Sequence, residues 1–531
     1  MNKNKEKKYD NTPLLEKVIF LMPAFLLTSV SLLLIYAEAS IISPTKIFTP
    51  LIVLWSILLL LIWPIQKITK SWASTGVSLS IVVVGFYLSE TIFYIIAILY
   101  LLSFLSLFLI FRIKKHKPKA RTFAITANFV TLVLFFFIAA KFIPVISDVE
   151  WMSYLSTLAH SRENLPVAHS YPNKKPDIYY IVLDAYARSD VLEHYYQFDN
   201  SEFISYLTNK GFFVPTKIYS NYPKTILSVT STLNFDYPQE MLDGVDRARL
   251  WWLLNPAWHN SRAQLFLEQS GYTSISIASH WDLSNNTETD IYFKPSPIFL
   301  NEFDGFVLAK TPLKLFQPAL NQIAFVPSFQ SHRELILYNF DTLEKVAEMP
   351  EPTFTVAHII PPHPPFVFDK NGNPLSPDYP FSFIDETSIP LTNEEYRDGY
   401  TAQIEFINQK LEVLVDAILA KSETPPIIIL QADHGPRRVT DPSSFDNKCQ
   451  NERFAIFAAY YLPDLPENPI PDEITPVNLF RIILNEYFST GLPILEDHSY
   501  TTINTTSPFQ LTEVTTQLEK DCPVILSDSK E

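Results

Sequence analysis

The chain reads as an α-helical membrane domain of about five spans followed by an α/β domain on a mostly parallel central sheet. Three observations predict this. Five apolar stretches crowd the first 147 residues, and short apolar runs alternate with helical patterns from residue 176 onward. The charge also changes sign between the parts: residues 1–121 hold 14 Lys/Arg against 5 Asp/Glu, and the remainder holds 27 against 51.

The apolar stretches are 18–37, 47–66, 72–88, 91–111 and 123–143. A spanning helix needs about 20 largely apolar residues. The third and fourth form one run broken at Ser89-Glu90-Thr91, which is too long for one span and reads as a tight hairpin. Lys3, Lys5, Lys7 and Lys8 precede the first span, Lys67 and Lys70 follow the second, and a basic loop from Arg112 to Arg121 follows the fourth. Basic loops stay cytoplasmic, so this alternation predicts a cytoplasmic N-terminus and an extracytoplasmic segment after span five. The first apolar run is long and lacks a small-x-small cleavage pattern, unlike a signal peptide.

Residues 148–175 read as a linker and 176–510 as the second domain. Its candidate strands are 178–183, 273–278, 353–358, 427–431 and 453–460, each nearly continuous in apolar or β-branched residues. Such runs suit strands buried on both faces of a parallel sheet. Helical patterns at 201–210, 261–270 and 400–419 alternate with them, which defines an α/β layer structure. Proline-rich stretches at 361–380 and 462–476 read as irregular connections, and 511–531 as a loose polar tail. The acidic balance opposes nucleic-acid binding, which needs a basic footprint. Cys449 and Cys522 lie on the side where a disulfide can persist; one bridge and two separate thiols both fit.

Ligands of such sheets collect at the carboxyl ends of the strands. Asp184 ends the first strand, His358 the third, and Asp433-His434-Gly435 follows the fourth. Asn221-Tyr222-Pro223-Lys224-Thr225 precedes a helical run over 226–233. A hydroxyl there serves as an ordinary N-cap, and also sits where a helix start favours phosphate or sulfate. Two Asp and one His converging on a hydroxyl suit a divalent cation, which lowers the hydroxyl's pKa and neutralises a phosphoryl oxygen. Alone, each piece has a plainer reading, Asp184 as a turn residue and Asp-His-Gly as a common turn.

Taken in order, these pieces resemble the alkaline-phosphatase/sulfatase superfamily over roughly residues 175–505. The matching segments are Lys-Pro-Asp-Ile-Tyr-Tyr-Ile-Val-Leu-Asp184, the Thr225 segment, Gly271-Tyr272, His363 in Pro-Pro-His-Pro-Pro-Phe, and Ala432-Asp433-His434-Gly435. With its multi-span anchor the chain is similar to the lipoteichoic-acid-synthase and phosphoethanolamine-transferase branch. The resemblance implies a sulfatase-like α/β domain in which Asp184, Thr225, Asp433 and His434 hold one divalent metal ion (Zn, Mn or Mg), with Thr225 also the nucleophile. His363 matches a pocket histidine.

Substrate-binding candidates beside it are His358, Arg437 and Asn221. Solvent-exposed loop charge is the competing reading for Arg437 and Arg438, and the core for His358. Position 185 is Ala, so the paired acids of two-metal members are absent, and no Cys/Ser-x-Pro-x-Arg motif surrounds Thr225. Ser228, one turn on, is a fallback nucleophile.

The expected function is a metal-dependent phosphotransferase or phosphodiesterase at the outer membrane face. It would use a Thr nucleophile to transfer a phospholipid head group to a cell-envelope glycan or lipid. Its partners would be membrane lipids, a head-group donor and that acceptor, with no nucleic acid. The alternatives are a sulfuric or phosphoric ester hydrolase and a non-catalytic membrane-anchored scaffold with a degenerate site.

Overall fold

The computed structural model describes residues 12–38, 44–88, 165–241, 254–350, 352–379, 381, 389–438, 450–502 and 511–518. Two compact units emerge, one of Met1–Asp148 with Glu302–Ala324, the other of Val149–Asn301 with Phe325–Glu531.

The first unit contains α1 (Leu14–Glu38), α2 (Phe48–Thr69) and α3 (Trp72–Leu88). Their apolar composition leaves side chains few polar partners, so Thr28, Ser29 and Ser80 bond carbonyls one turn back. Gly76 lets α3 approach α1 closely, since a Cβ there would lie 1.7 Å from the Phe20 carbonyl oxygen. Two described helices, α1 and α2, are long and apolar enough to cross a membrane. Against the expectation of about five spans, the described residues hold two candidates; α3 is described over 17 residues. The expected spans 91–111 and 123–143, and the break at Ser89-Glu90-Thr91, lie outside the described residues.

The second unit is built on a six-stranded sheet. Its strands are β1 (Ile178–Leu183), β2 (Thr273–Ile277), β3 (Ile291–Phe293), β4 (Thr353–Ile359), β5 (Ile427–Ala432) and β6 (Ala458–Tyr461). The spatial order is β3-β2-β4-β1-β5-β6, parallel except for the antiparallel β5–β6 pair. β1 and β5 are buried at every position, as their unbroken apolar sequences require. The registers are level at the carboxyl end: Leu183 lies opposite both Ile359 of β4 and Ala432 of β5. The residues that follow therefore leave the sheet side by side.

Helix α4 (Thr225–Asn234) begins beside that edge, and α5 (Asn393–Lys421) covers the sheet. α5 starts earlier than the expected 400–419 because Thr392 and Glu395 form a reciprocal capping box. The helix Arg262–Gln269 starts where Ser261 accepts a bond from the Gln264 amide.

Three expectations need correction. The run 453–460 is not one strand: Asn451–Phe454 is a helical turn, and only Ala458–Tyr461 joins the sheet. β3 was not foreseen, being three half-buried residues without a distinctive pattern. Residues 511–518 are not a loose tail. Leu511–Glu513 (β8) pairs antiparallel with Tyr500–Thr502 (β7), and Val514 and Leu518 bury against Phe454. In the expected linker, Leu165 and Ala168 pack on the main core and the His169 amide donates to the Phe488 carbonyl. Cys449 and Cys522 lie outside the described residues.

Candidate active site and metal centre

Level strand ends concentrate polar groups where the chain must turn. Asp184 follows β1, and its amide donates to the Ile359 carbonyl at 3.1 Å. Ala185 adopts a left-handed φ of 61°, and its amide donates to Asp433 Oδ1 at 3.1 Å. The His434 amide donates to the same oxygen at 2.8 Å. The hydroxyls of Ser220 and Ser228 donate to the Asp433 carbonyl at 2.6 and 2.7 Å. The turn after β5 is thus clamped from three sides, with Asp433 fully buried. Gly435 is required here, because a Cβ would lie 2.1 Å from the Glu452 carbonyl oxygen.

Four of the sequence-predicted residues converge. Thr225 Oγ1, at the first residue of α4, is 3.2 Å from His434 Nε2. The same nitrogen is 3.4 Å from Asp433 Oδ2 and 3.6 Å from Asp184 Oδ1. Asp184, Asp433 and His434 offer ligand atoms that all lie within 4.8 Å of one another, and all three side chains are buried. Asp184 Oδ1 and Asp433 Oδ2 have no hydrogen-bond partner among the described residues. Two buried carboxylate oxygens left bare are costly unless a cation meets them. Two carboxylates, an imidazole nitrogen and a hydroxyl form a hard-to-borderline donor set that fits a divalent metal.

The electrostatics agree with that use. Burial opposes charge on Asp184, but His363, His358 and His434 around it outweigh burial and hold its carboxyl below the usual range. Burial, and then the Asp184 charge, push Asp433 up to about 7. Burial and the Arg453 guanidinium push His434 well down, which keeps it neutral and able to ligate.

The remaining candidates divide. His358 is buried behind Asp184, with Nε2 3.3 Å from Asp184 Oδ2, and its ring packs against Trp258 and Trp281. It orients the carboxylate from the core side. The His363 amide donates to the Asp184 carbonyl at 3.0 Å, and its half-buried ring stands near enough to influence that carboxyl. Arg437 is half-buried just after the Asp433-His434 turn.

Asn221 does not line the cluster. It is fully buried, and its amide bonds Thr475 Oγ1, the His498 carbonyl and the Val477 amide. Ser228 is likewise buried and bonded to the Asp433 carbonyl. Arg438 donates to the carbonyl of Leu391.

One site residue escaped sequence reasoning. Arg453 brings Nη2 to 3.4 Å from His434 Nε2, while Nε and Nη1 donate to the carbonyls of Pro223 and Gly435. It stands at the start of the expected strand 453–460, and no local motif marks it, since only the turn at 451–454 aims it inward.

A protein-family model described as Sulfatase matches residues 176–482, more than half of the chain. No curated protein matches. Among solved structures, the chain is similar to the C-terminal periplasmic domain of EcEptC from Escherichia coli in complex with Zn. That likeness has 12% identity and a TM-score of 0.42, covering 66% of this chain and 96% of that one. The corresponding domain of the phosphoethanolamine transferase EptC from Campylobacter jejuni gives 13% and 0.36, covering 62% and 95%. A protein in the alkaline phosphatase superfamily from Vibrio parahaemolyticus gives 13% and 0.38, covering 66% and 81%. With every TM-score below 0.5, the assignment rests on the family model and the α/β domain it covers: this chain belongs to the sulfatase family, enzymes that act on ester bonds.

Proposed function

We propose that the chain is a metal-dependent phosphotransferase at the outer membrane face, moving a phospholipid head group onto a cell-envelope glycan or lipid through a covalent Thr225 intermediate. The observation that carries this reading is the position of Thr225 Oγ1, at a helix start and 3.2 Å from His434 Nε2, beside two bare buried carboxylate oxygens. Asp184, Asp433, His434 and Thr225 would hold one divalent ion (Zn, Mn or Mg). When bound, that ion would lower the pKa of the Thr225 hydroxyl and neutralise charge on a phosphoryl oxygen.

Thr225 Oγ1 attacks phosphorus of a phosphodiester, the bond from phosphorus to the lipid alcohol breaks, and the Thr225 proton ends on the departing alcohol oxygen. An acceptor alcohol then attacks phosphorus, the bond to Thr225 Oγ1 breaks, and the acceptor's proton ends on Thr225 Oγ1. α4 presents the dipole of its N-terminus to the phosphoryl group. Arg453, His363 and Arg437 add positive or hydrogen-bonding character around it, which suits an anionic substrate. The lack of a Cys/Ser-x-Pro-x-Arg motif at Thr225 disfavours the usual sulfate-ester route.

The alternation of basic loops supports the outward placement. Incubating full-length protein with divalent metal and mixed phospholipids should raise its intact mass by one head group, and Thr225→Ala should abolish the rise. A Thr225→Ala protein that still acquires the adduct would sink the assignment.

A further inference from the structure

The stretch Glu302–Ala324 interrupts the α/β domain in sequence but packs in the membrane unit. Phe303 and Val307 are buried against Leu32 and Tyr36 of α1 and Leu54 of α2, with Ile47 and Leu51 around them. The Phe303 and Tyr36 rings meet edge-on, 5.8 Å between centroids. These contacts lie at the C-terminal end of α1 and the N-terminal end of α2. Lys17, Lys67 and Lys70 mark the opposite ends. At 1.5 Å per residue, Tyr36 stands roughly 28 Å along α1 from Lys17, about one hydrocarbon thickness.

Beyond the packed residues, the segment turns apolar side chains outward. Leu315, Phe316 and Ile323 are 72%, 61% and 65% exposed. They lie within nine residues of one another, and Lys310 and Lys314 immediately precede them. α2, on which Phe303 and Val307 pack, also exposes large apolar side chains at Ile52, Trp55 and Leu59. Large apolar side chains close in sequence to basic ones, in a segment packed at the ends of two candidate spans, match the chemistry of the headgroup–acyl boundary.

We propose that residues 310–323 form an interfacial membrane element whose Leu315, Phe316 and Ile323 insert among phospholipid acyl chains at the leaflet opposite the lysine-marked helix ends. The bilayer is favoured over a protein partner because the segment packs, through Phe303 and Val307, on two helices long and apolar enough to cross a membrane. The element would hold this part of the chain at the lipid surface whatever reaction the metal centre performs.

The test places nitroxides at Leu315→Cys, Phe316→Cys and Ile323→Cys, one at a time, in full-length protein carrying Cys449→Ser and Cys522→Ser. A fourth label at Val413→Cys, on an exposed turn of α5, is the aqueous reference. In phosphatidylcholine/phosphatidylglycerol vesicles, oxygen should relax the three labels more than a water-soluble nickel chelate, with the order reversed at Val413. Nickel-dominated relaxation at Phe316 would overturn the proposal. Dipolar broadening between labels would overturn it in favour of a second copy of the chain. Protein keeping both cysteines, with a photo-crosslinking phenylalanine analogue at Phe316, supplies a second reading. A mass increase of one phospholipid supports insertion, and its absence counts against it. Neither readout depends on turnover, so failure here is distinct from failure of the transferase reading.

Discussion

At the scale of single residues, the site depends on who holds whom. His358 Nε2 stands 3.3 Å from one oxygen of Asp184 on the core side, and the other oxygen lies 3.6 Å from His434 Nε2. Partners behind a ligand fix its orientation, and losing one typically costs about 10–100-fold in metal affinity. His358→Ala should weaken metal binding by that order in calorimetric titration, and His358→Gln should recover part of it. Unchanged affinity in His358→Ala would make the histidine mere filling between Trp258 and Trp281.

Asp433 predicts a pH dependence. Its carboxyl, raised to about 7 by burial and by Asp184, is protonated below that value and must lose the proton before it can ligate. Apparent metal affinity should therefore rise with pH up to about 7 and fall roughly tenfold per unit below it. A flat profile between pH 5.5 and 7 would contradict the assignment of Asp433 as a ligand.

At the scale of elements, function depends on how the turn after β5 is locked. The turn after β5 passes so close to the Glu452 carbonyl that Gly435 has no room for a side chain. Gly435→Ala should destabilise the fold by about 1–3 kcal/mol, as overpacking usually does. The same change should reduce metal content, because the turn carries both Asp433 and His434. A thermal melt and elemental analysis of one preparation would read both effects, and a wild-type melt would show the backbone gives way easily.

Much of this was legible in the sequence. The unbroken apolar runs of β1 and β5 announce strands covered on both faces, and polar residues directly after them mark the ligand-binding edge. Arg453 was not legible, because its guanidinium reaches His434 only through the turn at 451–454. Asn221 was misplaced for a related reason. A polar residue near a candidate nucleophile looks like a pocket residue until its amide is seen bonded to residues 475–498.

At the scale of the whole molecule, stability and metal occupancy should be coupled. Asp184 Oδ1 and Asp433 Oδ2 are buried without a hydrogen-bond partner among the described residues, so a bound cation would offset the cost of burying them. A ligand at about 100 times its dissociation constant adds roughly 2.7 kcal/mol to a folded state that alone binds it. Chelation should lower the melting temperature of the full chain, and readdition of Zn or Mn should restore it. In Asp184→Asn/Asp433→Asn protein the metal-dependent part should vanish. A melting temperature indifferent to chelator in wild type would argue that the cluster holds no metal.

Sequence alone determined the composition of the parts: apolar helices long enough to cross a bilayer, an acidic α/β domain, and Asp184, Thr225, Asp433 and His434 as the candidate site residues that the fold then brings together. These are local properties, set by hydrophobic periodicity and by what a strand end or helix start needs. Tertiary structure decided everything that depends on register between distant segments. The level ends of β1, β4 and β5 bring Asp184, His358 and Asp433 together across some 250 residues of chain. Packing of Phe303 and Val307 on α1 and α2 places a stretch of the second domain's sequence in the membrane unit. Neither follows from a local pattern, because burial energy depends on which surfaces meet and not on the order in which the chain presents them.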